Sequence, residues 1–255
     1  MKLHFLRHAT FVVTLGDLTL LVDPMFSAAE AMPPIPHAGN EYRIPMVDLP
    51  LTRAELLTLL PDVDAVLLSH THFDHWDDEA KTLLPKQLPI LCQPEDQVVL
   101  EQAGFTSVLP IQQQTEWQGL HISRTGGRHG SGELGKMMGP VSGFVLKGKD
   151  EPSLYIAGDT IWCEEVEQAL EQYTPEVVVL YAGSAQYVTG GGPITMTADD
   201  VCQVAHKVPA AQIVAIHMEV INHCVLTRAE LKTRLTTEGL SQRVQVPQDG
   251  EVLIF

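Results

Sequence analysis

The sequence predicts an α/β protein, a four-layer αββα sandwich in which two mixed sheets lie face to face with helices on their outer sides. Three observations carry that expectation. The chain of 255 residues is 45% hydrophobic, enough to bury a large core. Its two halves, residues 1 to about 125 and about 126 to 255, each run from strand-like segments into alternating helix and strand, without a visible sequence repeat. Clustered His and Asp residues fall at the ends of predicted strands in both halves, so one edge of such a sandwich would gather them. Since the candidate site draws on both halves, residues 1–255 are expected to form a single domain.

Leu3 to Leu6 and Phe11 to Leu15 read as strands, and Leu18 to Asp23 follows across a Gly16-Asp17 turn, which makes a β-meander. Residues 27–51 carry Pro33-Pro34-Ile35-Pro36 and Gly39-Asn40, a composition that builds no regular element and is long for a connection. This stretch reads as a loop near the site, either a lid or a surface excursion, with His37 solvated. Thr52-Arg53-Ala54-Glu55 ahead of Leu56, Leu57, Leu59 and Leu60 is a capping box, in which Thr52 and Glu55 satisfy the first free amides of a helix. That helix feeds Val63 to Ser69, an apolar run of the buried-strand kind. Beyond it, Pro89 to Cys92 and Ser107 to Ile111 read as strands around a helix from Glu95 to Gln102.

In the second half, Leu120 to Thr125 alternates as a strand, with His121 structural, and runs into the glycine-rich Gly126 to Gly132. Val141 to Leu146 and Ser153 to Ala157 form a hairpin. A helix from Glu164 to Gln172, a strand from Val177 to Tyr181, a helix opened by Thr197, a strand from Ile213 to Ile216 and a final helix capped by Thr227 and Glu230 complete the order.

Leu68-Ser69-His70-Thr71-His72-Phe73-Asp74-His75-Trp76 puts three imidazoles and a carboxylate into six residues at a strand's end. Extended backbone sends alternate side chains to one side, so His70 and His72 would face together, with Asp74 and His75 following as the chain turns. Two His for one ion and an Asp-His pair for a second would let one loop nucleate a dinuclear centre.

The spacing HxHxDH resembles the signature of the metallo-β-lactamase fold superfamily of metallohydrolases, whose fold is the same αββα sandwich. The resemblance implies that two later loops each add a His and another adds an Asp. Gly127-Arg128-His129, Gly158-Asp159-Thr160 and Ile216-His217-Met218 supply them in order, so the implied metal ligands are His70, His72, Asp74, His75, His129, Asp159 and His217. An Asp in the position that Asp159 matches is found in glyoxalase II, lactonase and phosphodiesterase members, whereas β-lactam-hydrolysing members lack a carboxylate bridging the metals. His8-Ala9-Thr10 and Asp23-Pro24-Met25-Phe26, with Trp76 after the motif, resemble the branch that includes the ascorbate-6-phosphate lactonase and the N-acylphosphatidylethanolamine phospholipase D. Either Asp23 or His8 would then lie behind the ligand loop and fix an imidazole through its second nitrogen, the alternative being a turn-capping Asp and a strand His.

The expected function is a dinuclear metal-dependent hydrolase using metal-bound hydroxide on a small-molecule lactone, ester or phosphodiester. Two divalent ions are implied, zinc first and manganese or iron as alternatives, because imidazole and carboxylate do not discriminate sharply. Asp74 and His223 are the candidate catalytic residues, His223 contacting substrate or protonating a leaving oxygen, unless it is merely satisfied within its loop. Glu219 and Asn222 lie beside it, Tyr187 and Met196 are expected to shape the opening, and Arg128 either meets an anionic substrate group or is solvated. A nuclease of the same superfamily and a regulatory protein without turnover are the alternatives. Against the nuclease stands the balance of 16 basic and 32 acidic residues, a net charge of -16 that repels phosphate backbones, so no nucleic-acid partner is expected. No charged leader or bilayer-length apolar run is present, so a cytoplasmic protein without membrane contact is expected. Cys92, Cys163, Cys202 and Cys224 are widely spaced and read as free thiols.

Overall fold

The computed structural model describes residues 1–255. The meander is present as β1 (Lys2–Arg7), β2 (Thr10–Leu15) and β3 (Leu18–Val22), and the apolar run before the histidine motif is β4 (Ala65–Leu68). With β5 (Ile90–Cys92), β6 (Val108–Pro110) and the late strand β14 (Val252–Ile254) they form one sheet of seven, in the order β14-β1-β2-β3-β4-β5-β6. A second sheet of seven runs β13-β12-β11-β10-β9-β8-β7. Its strands are β7 (Gln114–Trp117), β8 (Leu120–Thr125), β9 (Gly143–Lys147), β10 (Leu154–Ile156), β11 (Val177–Tyr181), β12 (Gln212–Ile216) and β13 (Val244–Gln245).

In the first sheet β14, β1, β2 and β3 pair antiparallel and β3 to β6 parallel, and in the second β7 to β10 pair antiparallel and β10 to β13 parallel, every parallel pair being joined by a helical crossover. The crossovers of the first sheet carry α1 (Arg53–Leu59), α2 (Asp78–Leu83) and α3 (Gln97–Gln102). Those of the second carry α5 (Glu164–Tyr173), α6 (Ala198–Lys207) and α7 (Arg228–Thr237), while α4 (Gly132–Met138) stands in the loop between β8 and β9. Capping boxes at Thr52 and Thr227 close as expected, and Thr197 makes a third with Asp200.

Strand alternation divides most of the buried apolar side chains among three layers. Leu3, Phe5, Phe11 and Leu67 of the first sheet meet Ile122, Phe144, Val179 and Val214 of the second in the central core. Leu56, Ala80 and Leu100 of the first three helices cover Val66 and Ile90 on one outer face. Val166, Val201 and Leu231 cover Val178 and Ile213 on the other. Each fully buried Leu, Val or Phe contributes roughly 1.5–3 kcal/mol, so most of the stability resides in these layers.

Several details differ from the expectation. Trp76 packs on Phe105 and Ala80 of the outer core, and Met196, expected to shape the opening, is fully buried in the layer beneath α6. The sequence reading has no counterpart for α2, α4, β7, β13 or β14. Residues 27–51 are irregular as predicted, but they are neither a free surface excursion nor detached. Met32 bridges Ile44, and Ile44 packs with Met25 on Val220 and Ile221. Asn222 Oδ1 accepts from Ile35 N at 2.9 Å, and His37 O accepts from Val188 N at 2.9 Å, so the stretch forms a wall bonded to the loops beyond β11 and β12.

Candidate metal centre

β1, β3, β4, β8, β10 and β12 all end on one edge of the sandwich, and the residues just beyond those ends are His8, Asp23, His70, His129, Asp159 and His217. Three of them are held with left-handed backbone, His8 at φ 61°, Asp23 at φ 43° and His217 at φ 75°. Such conformations cost about 1–3 kcal/mol each and turn a side chain sharply off its strand, here toward the seam between the sheets. Gly158 takes φ 71° ahead of Asp159, and a Cβ there would lie 2.6 Å from Ser142 O, so only glycine brings β10 this close to its neighbour.

All seven predicted ligands converge. The ligand atoms of His70, His72 and His129 lie within 4.8 Å of one another, as do those of His70, His75 and Asp159, and those of Asp74, His75 and His217 together with His8. Six of the seven are buried, and His72 is partly exposed. Asp159 stands between the groups, with Oδ2 3.3 Å from His75 Nε2 and 3.4 Å from His129 Nε2, and Oδ1 3.2 Å from His217 Nε2.

Hydrogen bonds behind the rings fix which nitrogen faces inward. His75 Nδ1 donates to Asp23 Oδ2 at 2.9 Å, and His129 Nδ1 donates to Ile194 O at 2.8 Å. His70 Nδ1 donates to Ser69 Oγ at 3.1 Å, and Ser69 Oγ donates to Asp23 Oδ2 at 2.7 Å. Asp23 also accepts from Ser69 N and from the Tyr181 hydroxyl, both within 2.8 Å, so one buried carboxylate orients two rings. Of the two candidates for this role it is Asp23 that holds imidazole nitrogens, whereas His8 Nε2 lies 3.2 Å from Asp74 Oδ2. His217 Nδ1 contacts Cys224 Sγ at 3.7 Å.

With Nδ1 committed to donation, each Nε2 presents a lone pair. His75 Nε2 and His217 Nε2 face each other at 3.3 Å, and His70 Nε2 and Asp159 Oδ1 are buried without any hydrogen-bond partner. Lone pairs converging on one point are repulsive unless a cation sits among them, so the donor set fits divalent metal. The electrostatics agree. Burial opposes charge on Asp159, but His217, His75 and His129 outweigh it and hold the carboxyl well below the usual range. Burial likewise opposes charge on His75, yet Asp159 and Asp74 hold that ring well above its ordinary value, so without metal its Nε2 keeps a proton, which a cation among the same carboxylates would displace. Burial drives His70 and His217 well below theirs, which leaves them neutral and ready to ligate.

Among the peripheral residues, His223 is buried at the site with Nδ1 unpartnered, its ring stacked 5.8 Å from Tyr187. Burial pushes its pKa down to about 4. Tyr187 bridges from the stacked His223 ring to Met138 of α4, its hydroxyl 3.9 Å from the sulfur. Arg128 is exposed and paired with Glu165, Glu219 is paired with Arg228, and His121 sits near Glu116 on the surface, all away from the convergent atoms. Sequence reasoning did not find Ser69, Tyr181 or the Ile194 carbonyl. Tyr181 carried a signal, since a hydroxyl at the end of a buried strand must find a polar partner.

A family model described as a β-lactamase superfamily domain matches residues 19–218. The UPF0173 protein YddR of Bacillus subtilis is 36% identical over 258 residues, covering 100% of both chains. The crystal structure of an isothiocyanate hydrolase from Delia radicum gut bacteria superposes with a TM-score of 0.93 at 39% identity, covering 100% of this chain and 99% of that one. A "possible metal-dependent hydrolase" from Veillonella parvula gives a TM-score of 0.95 at 34% identity, covering 99% and 98%. No helix is long and apolar enough to cross a membrane. The fold, the convergent His and Asp residues and these relatives together make the chain a metal-dependent hydrolase that belongs to the metallo-β-lactamase fold superfamily and, with YddR, to its UPF0173 group.

Proposed function

We propose that this hydrolase is dinuclear, with one ion on His70, His72 and His129, a second on Asp74, His75 and His217, and Asp159 shared between them. The observation that carries the reading is the placement of Asp159, whose two oxygens reach histidines of both groups. Zinc suits the set best, with manganese or iron as alternatives. Ligands drawn from both halves also support treating residues 1–255 as one domain.

When bound, two such ions supply a water whose pKa is lowered to roughly 7 and neutralise charge on the atom that receives or releases electrons. The chain's own residues do the rest. Asp23 and Ile194 O fix the ring tautomers, and the wall of residues 27–51 with Tyr187 limits access to compact molecules. His223, neutral because burial holds it near 4, offers an N–H to a developing anion and stores no extra proton. Cys224 lies behind His217, and burial with the nearby Asp74 and Asp159 charges pushes its thiol well above the ordinary value, so it serves as no nucleophile.

The substrate is a small molecule with an electrophilic carbon or phosphorus. The relative with 39% identity over the whole chain favours an isothiocyanate: water adds to the central carbon of R–N=C=S, and the thiocarbamate releases amine and carbonyl sulfide. A lactone, ester or phosphodiester is the alternative favoured by the Asp-containing ligand set. Assaying metal-loaded protein on all four classes, followed by one turnover in ¹⁸O-labelled water, tests the reading. Label in the first-turnover product and loss of activity on chelation are expected. Activity that survives complete metal removal, or an unlabelled product with a trapped covalent enzyme, would overturn it.

A further inference from the structure

His8 is fully buried, 66 residues from Asp74 in the chain, and lies on the same side of the centre as His75 and His217. Its ring packs on that of His217 with centroids 3.6 Å apart, and its carbonyl accepts from His217 N at 2.9 Å. Its Nε2 points at Asp74 Oδ2 at 3.2 Å with the alignment of a hydrogen bond. The other histidines approach the central carboxylates differently. His129 and His217 Nε2 come within 3.2–3.4 Å of Asp159 and His75 Nε2 within 3.8 Å of Asp74 without the alignment of a hydrogen bond, and His75 Nε2, whose Nδ1 already donates to Asp23, lies 3.3 Å from Asp159 Oδ2. Converging ligands share that misaligned geometry, because their lone pairs aim at a common point and not at each other. His8 does not.

We infer that His8 is a positioning residue of the metal centre: its Nε2–H donates to Asp74 Oδ2, orients that carboxylate toward the ion shared with His75 and His217, and its ring backs the face of His217. The inference rests on the two-ion reading. It makes His8 selective, since its side chain meets Asp74 and His217 and stands edge-on to His75, all three of the second group. A donor to one oxygen of Asp74 leaves the remaining lone pairs for the metal and forbids the carboxylate to rotate away from it.

The test compares wild type with His8→Gly, which tolerates the left-handed backbone, and His8→Gln, whose amide can replace the N–H. His8→Asn, too short to reach Asp74, substitutes for the glycine variant if that fails to fold. Metal-free proteins are titrated with Zn²⁺ against a chromophoric chelator, and Co²⁺ forms are compared by absorption. Expected are two binding events in wild type, one of them weakened about 10–100-fold in His8→Gly with the other unchanged, and recovery in His8→Gln with the wild-type Co²⁺ spectrum. Two undisturbed events in His8→Gly would overturn this inference alone. Failure of His8→Gln to recover, with a Co²⁺ spectrum showing one nitrogen ligand fewer, would make His8 a ligand instead. A wild type that binds a single ion would overturn the two-ion reading and this inference with it.

Discussion

Asp159 and His223 are both buried at the metal centre and answer to opposite forces. Asp159 is ionised despite burial because three imidazoles surround it, so Asp159→Ala removes the only carboxylate facing both groups of histidines. Metal content should fall from about two ions to fewer than one per chain, and kcat/KM by at least ~100-fold, as checked by elemental analysis beside kinetics. Retention of both ions would show the carboxylate to be dispensable. His223 is neutral because burial dominates, with its pKa moved from 6.5 to about 4. Unfolding returns it to 6.5, so between those values the unfolded chain binds more protons and stability falls as pH falls. The full effect is on the order of 3 kcal/mol. Urea midpoints measured from pH 7 to pH 4.5 should therefore decline less steeply in His223→Gln than in wild type, and equal slopes would deny the depressed pKa.

At the scale of elements, what the sequence disclosed depended on how local the signal was. β1 to β4, β11 and β12 were legible because apolar runs and turn residues mark them, and α1 and α7 because their capping boxes lie within four residues. α2 was missed since its segment Asp78–Leu83 buries only Ala80, and α4 since two glycines interrupt it and nothing in it is buried. β7 is a polar edge strand, and β13 has two residues. The ligands were legible as types at strand ends, whereas the tautomer-fixing contacts were not, because Asp23 meets His75 across 52 residues and Tyr181 across 158. Asp77 shows how such contacts couple elements. It caps α2 through Ala80 N and accepts from Phe26 N, Ser27 N and Ser27 Oγ, tying the start of the 27–51 wall to the helix after the motif. A simple cap loss costs about 1 kcal/mol, but orphaned buried amides add to it, so Asp77→Ala should destabilise by about 3 kcal/mol in denaturant titration. A loss below ~1 kcal/mol would mean that the wall stands without it.

For the whole molecule, the centre joins the two sheets: His70, His72, Asp74 and His75 follow the first, and His129, Asp159 and His217 the second. Any ion held there binds only the folded arrangement, so stability should track free metal. At a hundredfold excess over Kd one site adds ~2.7 kcal/mol, which is roughly 5–10 °C in Tm for a chain of this size. Calorimetry with and without chelator checks this, and a Tm indifferent to metal would place the ligands outside the folding equilibrium.

The pairing of β14 with β1 has a consequence for biosynthesis. Lys2, Leu3 and His4 wait for Val252, Leu253 and Ile254, so during translation the outer edge of β1 stays bare while some 250 residues are added, roughly 12–50 s at ~5–20 residues per second. An open strand edge invites pairing with other nascent chains on the same message. The charged Lys2 and the partly exposed His4 at that edge are the protection the chain carries through the interval, and replacing them with apolar residues would be felt in yield long before it was felt in the finished enzyme.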